Sequence, residues 1–424
     1  PPLPPPPPLP PQPPSMPPPS PPPPPPTLPS AAEEQYTEFG FDGVSFCQSH
    51  FPSRAGCTVE VDAAADCTVA DDNTCPIIFF LHGMSGDKGL WQPTVEALTG
   101  SNARNTYPFI AVFPQATENS AGVTNWLQTA QGSADFDFLV AIGDELYSRG
   151  FTGRRYAVGF SNGAQFAQRL AVHPDLRFQG IVPVATQLTR LPAYNDAYAP
   201  YIYAHPQPDS NTSRVAVMQV HGTADSIIRY EGGGVAFLEA QLAGSDESAE
   251  HWAEHNCGGN SVFKNQVSIF GDGGGERFLK TTWAACPATA PVVQYEWKCA
   301  DHYLPSTVDG VLFGEVIYNF FSGVDAACAN EGTCADPNAE AATPDRSSYD
   351  HTKLPLVGGA PDACTANSDY GDEYVVDGYL LGLDRGSGDT DWADAAGHSW
   401  EEADTLLLYA AEEDASGDSA SGTS

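Results

Sequence analysis

One stretch limits this chain more than any other: Tyr156-Ala157-Val158-Gly159-Phe160-Ser161-Asn162-Gly163-Ala164-Gln165. An apolar, β-prone run reaches Gly159, and Gly163 follows two residues after Ser161. The continuation, Phe166-Ala167-Gln168-Arg169-Leu170-Ala171, has helical character. A strand, then G-x-S-x-G, then a helix is the context of a nucleophile elbow, a turn so tight that its flanking positions must be glycine. Ser161 projects from the apex, and the backbone N–H of Asn162 lies at the start of the helix, where a developing negative charge is favoured. The pentapeptide alone arises by chance; the strand before it and the helix after it make it specific.

The surrounding sequence supplies the matching layers. Residues 76–81 (Pro-Ile-Ile-Phe-Phe-Leu) and 108–114 (Pro-Phe-Ile-Ala-Val-Phe-Pro) are continuous apolar runs of strand length. Such runs are typical of parallel strands buried on both faces. Further buried strands are predicted at 180–184, 215–220 and 292–297, with helices at 135–146 and 235–242 and a final helix from Leu312 ending near Gly323. Strands alternating with helices predict an α/β domain, a mainly parallel sheet with helices on both faces.

Around this domain the composition changes. Residues 1–30 are almost wholly proline; with φ fixed and no N–H, such a tract is a polyproline II rod or spacer without a core. Its Ser15 and Ser20, set among proline runs, resemble the serine–proline repeats of plant and algal cell-wall glycoproteins. Residues 31–323 form the catalytic domain, and 324–424 an acidic, cysteine-containing C-terminal extension. Within that extension Ser399-Trp400-Glu401-Glu402 reads as a capping box opening a helix at 403–411. Its Asp389, Asp391 and Asp394 lack the glycine and spacing of an EF-hand and read as solvated.

A formal net charge of −36 excludes nucleic acid and anionic membrane surfaces as partners. Ten cysteines, mostly in loop-like sequence, predict disulfides and an oxidising, extracellular setting. Cys47, Cys57, Cys67 and Cys75 staple an N-terminal β region. Three cysteines (Cys328, Cys334, Cys364) lie in the extension and seven before it, so full pairing requires a bridge between the two parts. No Cys/His cluster has zinc spacing, and neither metal nor cofactor is expected. No apolar run is long enough to span a bilayer. The chain shows no initiator Met and no signal-peptide h-region, and reads as a fragment or a processed form. Asn211-Thr212-Ser213 is an N-glycosylation acceptor.

A serine hydroxyl needs a general base, and the base needs a carboxylate to fix its tautomer. In the α/β-hydrolase order Ser, Asp, His, each residue sits on a loop after a later strand. After the strand at 215–220 comes His221-Gly222-Thr223-Ala224-Asp225, which places Asp225 as the acid. After the strand at 292–297 comes Lys298-Cys299-Ala300-Asp301-His302, which places His302 as the base. The bland readings are a turn-forming aspartate and a surface histidine; order behind the elbow favours catalysis. His398 in the extension opens a helix with no buried strand before it and is the weaker base candidate. His82-Gly83-Met84, after the first buried strand, aims the Met84 N–H beside that of Asn162 as a two-donor oxyanion hole, with His82 anchoring the turn. Trp91 and Trp126 are candidates to line the acyl cleft, or are core aromatics.

With these residues in place, the chain resembles the secreted poly(3-hydroxybutyrate) depolymerase and feruloyl esterase-like α/β-hydrolases of the carbohydrate esterase family 1 type. The resemblance runs from roughly residue 39 to 323. It rests on Leu81-His82-Gly83, on Gly159 to Gly163, on His221 to Asp225 with the trailing Tyr230 and Gly232-Gly233, and on Asp301-His302-Tyr303-Leu304-Pro305. It implies Ser161 as nucleophile, His302 as base, Asp225 as orienting acid and a Cys257–Cys286 bridge. It also implies hydrolysis of feruloyl or acetyl esters of polysaccharide, or of polyhydroxyalkanoate polyesters, outside the cell and without a cofactor. Ala164 replaces a common second glycine, and Cys299-Ala300-Asp301 replaces a glycine-rich lead into the histidine. Two other readings are a non-catalytic wall protein with a hydrolase-like fold and an α/β-hydrolase peptidase; no propeller-like repeats support the latter.

Overall fold

The computed structural model describes residues 41–64, 67, 75–99, 107–118, 122–126, 134–172, 178–190, 214–235, 240–257, 264–270, 276–331 and 334. Helix α1 (Gly43–His50) is capped by the Asp42 carboxylate, which accepts from the N–H groups of Val44 and Ser45 at 3.1 Å each. Then follow β1 (Val59–Ala63), β2 (Ile77–Leu81), a 3₁₀ turn (Lys88–Trp91), α2 (Gln92–Thr99), β3 (Ile110–Pro114) and a short hairpin of β4 (Thr117–Glu118) and β5 (Thr124–Asn125). The middle of the chain adds α3 (Ala134–Ser148), β6 (Arg155–Phe160), α4 (Asn162–Val172), β7 (Phe178–Val184), β8 (Thr189–Arg190) and β9 (Ala216–Gly222). Next come β10 (Gly233–Val235), β11 (Ala240–Leu242), α5 (Ser245–Cys257), β12 (Lys264–Phe270), β13 (Glu276–Trp283) and β14 (Val292–Trp297). A small hairpin, β15 (Thr307–Val308) with β16 (Val311–Leu312), leads into α6 (Phe313–Glu331).

Nine strands form one sheet in the order β1-β3-β2-β6-β7-β9-β14-β13-β12. The run from β3 to β14 is parallel; β1 at one edge and β13 and β12 at the other are antiparallel. Strands β2, β3, β6, β7 and β9 are buried at every residue. That explains the unbroken apolar runs of β2 and β3 and the predominantly apolar make-up of the others: alternate side chains enter two different covered faces. On one face Ile78, Phe80, Tyr156 and Val158 pack with Trp91, Val95 and Leu98 around α2 and with Phe313, Ile317 and Phe321 of α6. The Tyr156 and Phe321 rings stack at 4.3 Å. Helices α4 and α5 cover the sheet at β6, β7, β9 and β14. Each fully buried side chain of this size is worth about 1.5–3 kcal/mol, so the sandwich rather than any loop holds the molecule together. Layers, strand order and crossovers are those of an α/β-hydrolase fold.

Four disulfides join described residues: Cys47–Cys57, Cys67–Cys75, Cys257–Cys286 and Cys328–Cys334. The Cys257–Cys286 pair is the one the family resemblance implies. The stapled N-terminal region holds the strand β1 but also a helix, since Cys47 sits on α1. Cys299 is also disulfide-bonded.

Two sequence-based expectations need correction. Of the helix expected at 235–242, the described residues Val235 and Ala240–Leu242 lie instead in the antiparallel pair of β10 and β11, extended by β8. Gly232, just before β10, and Gly233, its first residue, have φ of 78° and 116° and turn the backbone away from helical geometry. The helix of this interval is α5. Likewise α6 does not stop near Gly323 but runs on to Glu331. A Cβ at Gly323 would meet nothing within 4 Å, while Val324 and Cys328 stay buried. Burial of the following turn therefore outweighs the roughly 1 kcal/mol that a mid-helix glycine costs. The proline tract, Asn211, Cys364, His398, the three aspartates at 389–394 and the helix at 403–411 lie outside the described residues.

Candidate active site

The elbow is built by backbone contact. Ser161 lies between β6 and α4 with φ of 52°, a left-handed conformation unusual for a residue with a side chain. Its N–H donates to the Val184 carbonyl at 2.9 Å, and its own carbonyl takes the first helical bond, from Gln165, at 3.0 Å. Nothing larger than glycine fits beside it. A Cβ on Gly159 would lie 2.2 Å from the Gly163 carbonyl oxygen, and one on Gly163 would lie 2.3 Å from that of His82. The second contact also places α4 directly against the end of β2, so elbow and His82 turn are one packed unit.

At that strand end His82 is completely buried. Its Nε2 accepts the Ala116 N–H at 3.1 Å, so Nδ1 carries the proton and donates to the Gly83 carbonyl at 2.7 Å. Burial pushes its pKa down to about 4, against opposing effects of the Gly83 carbonyl and of Asp87 and Asp135. His82 is thus a neutral anchor of the turn, as the sequence suggested. The Gly86 N–H closes the turn on the Gly83 carbonyl at 3.1 Å, with Ser85 at φ 58°. Met84 lies within this turn and Asn162 opens α4. The Asn162 side chain accepts the Trp126 N–H at 2.8 Å, tying the segment after β5 to the elbow.

Trp91 and Trp126 lie in the interior, each 0% exposed. The Trp91 indole donates to the Leu81 carbonyl at 3.0 Å and the Trp126 indole to the His82 carbonyl at 2.8 Å. Two consecutive carbonyls that leave the sheet at the end of β2 are therefore satisfied by two indoles. This packing favours the core reading over a wall of an acyl cleft. The sequence gives no cue to the capping itself, since any buried tryptophan needs some acceptor.

Asp225 and His302 come together from neighbouring parallel strands. Asp225 follows β9 and His302 follows β14, and the His302 Nδ1–H donates to Asp225 Oδ2 at 2.7 Å. Asp225 is saturated with donors: its Oδ1 also accepts the N–H groups of Ile227 at 2.9 Å and Ile228 at 2.7 Å. Its Oδ2 further accepts from His221 Nε2 at 3.2 Å, an N–H shared with the Ile228 carbonyl at 2.8 Å. Burial works to raise the Asp225 pKa, but the hydrogen bonds from His221 and His302 outweigh it and hold the carboxyl well below the usual range. It is a fixed anion at any ordinary pH. His302 is 2% exposed, and its Nε2 has no hydrogen-bond partner among the described residues. Its ring lies 4.9 Å from that of Phe160, the residue before Ser161. The arrangement leaves an imidazole with one nitrogen committed to an anion and the other uncommitted. Such a group can accept and return a proton.

His221 is a member of this cluster that sequence reading left aside, although it begins the segment that ends in Asp225. Among the described residues no group of three or more metal-ligating side chains is placed to hold an ion.

No protein-family model matches the chain, and no curated protein sequence does. Solved structures do. The chain is similar to a carboxylesterase of Bacillus cereus at 15% identity, over 68% of this chain and 99% of the other, with a TM-score of 0.37. It is similar to an acetyl xylan esterase from Aspergillus awamori at 11% identity, over 63% and 95%, with a TM-score of 0.42. Similarity to esterase PE8 is at 13% identity, over 63% and 99%, with a TM-score of 0.38.

Proposed function

We propose that this protein is a serine carboxylic-ester hydrolase. The observation that carries the reading is the buried Asp225–His302 pair, with Nε2 of His302 uncommitted, on the strand order in which Ser161 occupies the elbow. In this reading Ser161 Oγ attacks the ester carbonyl carbon while His302 Nε2 takes its proton. The N–H groups of Met84 and Asn162 receive the oxyanion. His302 then returns the proton to the departing alcohol, leaving an acyl-serine. Water, deprotonated by the same nitrogen, attacks the acyl carbon and frees the acid and Ser161. Asp225 keeps its negative charge throughout and stabilises the imidazolium formed in each half-reaction.

The substrates are feruloyl or acetyl esters of polysaccharide, or poly(3-hydroxyalkanoate) polyesters; the motifs around Ser161, Asp225 and His302 support this choice. The setting is extracellular, supported by the disulfides and by the absence, among the described residues, of a helix long and apolar enough to cross a membrane. The proline tract at 1–30 would hold the enzyme at a cell wall.

The test is hydrolysis of p-nitrophenyl butyrate, methyl ferulate and polyhydroxybutyrate film by the protein and its Ser161→Ala variant. Turnover of at least one ester, falling about a thousandfold or more in the variant, is the expected result. Folded protein inactive on all three, or activity surviving in Ser161→Ala, would refute the reading.

A further inference from the structure

The loops carrying Asp225 and His302 run side by side, and their first halves are zipped by hydrogen bonds. Thr223 N–H donates to the Trp297 carbonyl at 2.9 Å and Ala224 N–H to that of Ala300 at 3.0 Å. The Cys299 N–H donates to Thr223 Oγ1 at 2.8 Å. The approach is close enough that a Cβ on Gly222 would lie 2.3 Å from the Ala300 carbonyl oxygen. This zipper stops at Ala300, before the imidazole. Beyond it, besides the Asp225–His302 bond, the side chain of Asp301 joins the two loops.

Asp301 Oδ1 collects three donors, each at 2.8 Å: the Ser226 N–H, the Ser226 hydroxyl and the His302 N–H. Its carbonyl accepts the Tyr303 N–H at 2.9 Å. His302 is therefore the central residue of a three-residue turn, gripped through its backbone on both sides. The same carboxylate holds the residue next to Asp225 in sequence. The two partners of the 2.7 Å bond are thus referenced to a single oxygen atom.

We propose that Asp301 is a positioning residue for His302: its carboxylate oxygen clasps the acid loop to the base loop and sets where the imidazole stands relative to Asp225 and Ser161. The proposal deepens the esterase reading and rests on His302 being its base. What is required of Asp301 is an acceptor at Oδ1, a role that asparagine can fill and alanine cannot.

The test uses the full chain with p-nitrophenyl butyrate as probe and compares wild type, Asp301→Ala, Asp301→Asn and Ser226→Ala, with kcat referred to folded protein. A displacement of the base by about an ångström costs about a hundredfold, so kcat of Asp301→Ala should fall about 30- to 100-fold with KM within about twofold. Asp301→Asn should recover to within about tenfold of wild type, and Ser226→Ala, which keeps its N–H donor, should lose about threefold. Proton NMR reads the same geometry without turnover. The downfield His302 Nδ1–H resonance, assigned by its loss in His302→Ala, should shift or vanish in Asp301→Ala and return in Asp301→Asn.

Unchanged kcat and resonance in folded Asp301→Ala would overturn the clasp, as would an equal loss in the asparagine and alanine variants. Should Asp301→Ala fail to fold, the Asn and Ser226→Ala variants decide by the same criteria. If wild type turns over no ester, the esterase reading fails, and the resonance still decides the clasp by whether it responds to Asp301→Ala.

Discussion

The elbow at Ser161 and the loop of His302 are both held in place, but by different means. At the elbow, backbone meets backbone: Gly163 abuts the carbonyls of His82 and Leu81, and Gly159 abuts Gly163. At the His302 loop the backbone zipper ends at Ala300, and beyond it the hydrogen bonds run through side chains, with Asp301, Ser226 and Asp225 bonding backbone and imidazole. Contact between backbones leaves no tolerance and leaves glycine in the sequence as its trace. A clasp of side chains is softer and uses residue types found in any loop. The elbow should therefore fail as a fold, and the base loop should fail as a catalyst.

The largest effect should come from Gly163→Ala. Its methyl group would enter the end of β2, and a loss above about 4 kcal/mol is expected in urea unfolding, or no folded protein at all. Asp225→Asn should cost less stability than Gly163→Ala, although its buried carboxylate gathers four donors, and should reduce kcat about 10⁴-fold, because an amide presents the wrong partner to Nδ1 and upsets the tautomer. Were Asp225→Asn to unfold the protein while Gly163→Ala did not, the contrast would be reversed.

A smaller effect concerns the anchor at the end of β2. His82 has a folded pKa of about 4, below the 6.5 of the free side chain. As pH falls from 6.5 to 4 the unfolded chain takes up a proton that the folded chain refuses, so stability is lost across that window. The loss approaches about 3 kcal/mol for this group and is absent above it. Urea unfolding at pH 7 and pH 4.5 should show a steeper decline in wild type than in His82→Gln. The smallest effect should be that of Trp126→Phe, which keeps the ring stacked on Phe166 at 5.3 Å but leaves the His82 carbonyl without its indole donor. About 1–3 kcal/mol of stability should be lost in thermal unfolding.

This contrast also governs what could be read without coordinates. The strands β2 and β3 are legible because burial on two faces writes itself as an unbroken apolar run, and β6, β7, β9 and β14 because apolar residues dominate them despite an occasional buried polar one such as Gln219 or Gln294. Ser161, Asp225 and His302 were then located by counting loops after strands. The pair of β10 and β11 was not legible, because Val235, Leu238 and Leu242 fit a helical stripe and the glycines before them state only that the chain turns. Asp301 and His221 were hidden for a related reason. Each serves another residue through a hydrogen bond, His221 within its own segment and Asp301 across to Ser226, and neither role is written in a spacing that fold geometry demands. Trp91 and Trp126 were visible as large aromatics, but whether a buried indole faces ligand or carbonyl is decided only by packing.

If Ser161 is a nucleophile activated by His302 and Asp225, it should react with an electrophilic probe. Reaction with a fluorophosphonate, followed by mass spectrometry of the peptides, tests this without choosing an ester. One label per molecule is expected, on the peptide holding Ser161, with labelling slowed about a hundredfold or more in His302→Ala. Folded protein that takes no label, or takes it on another serine, would contradict it.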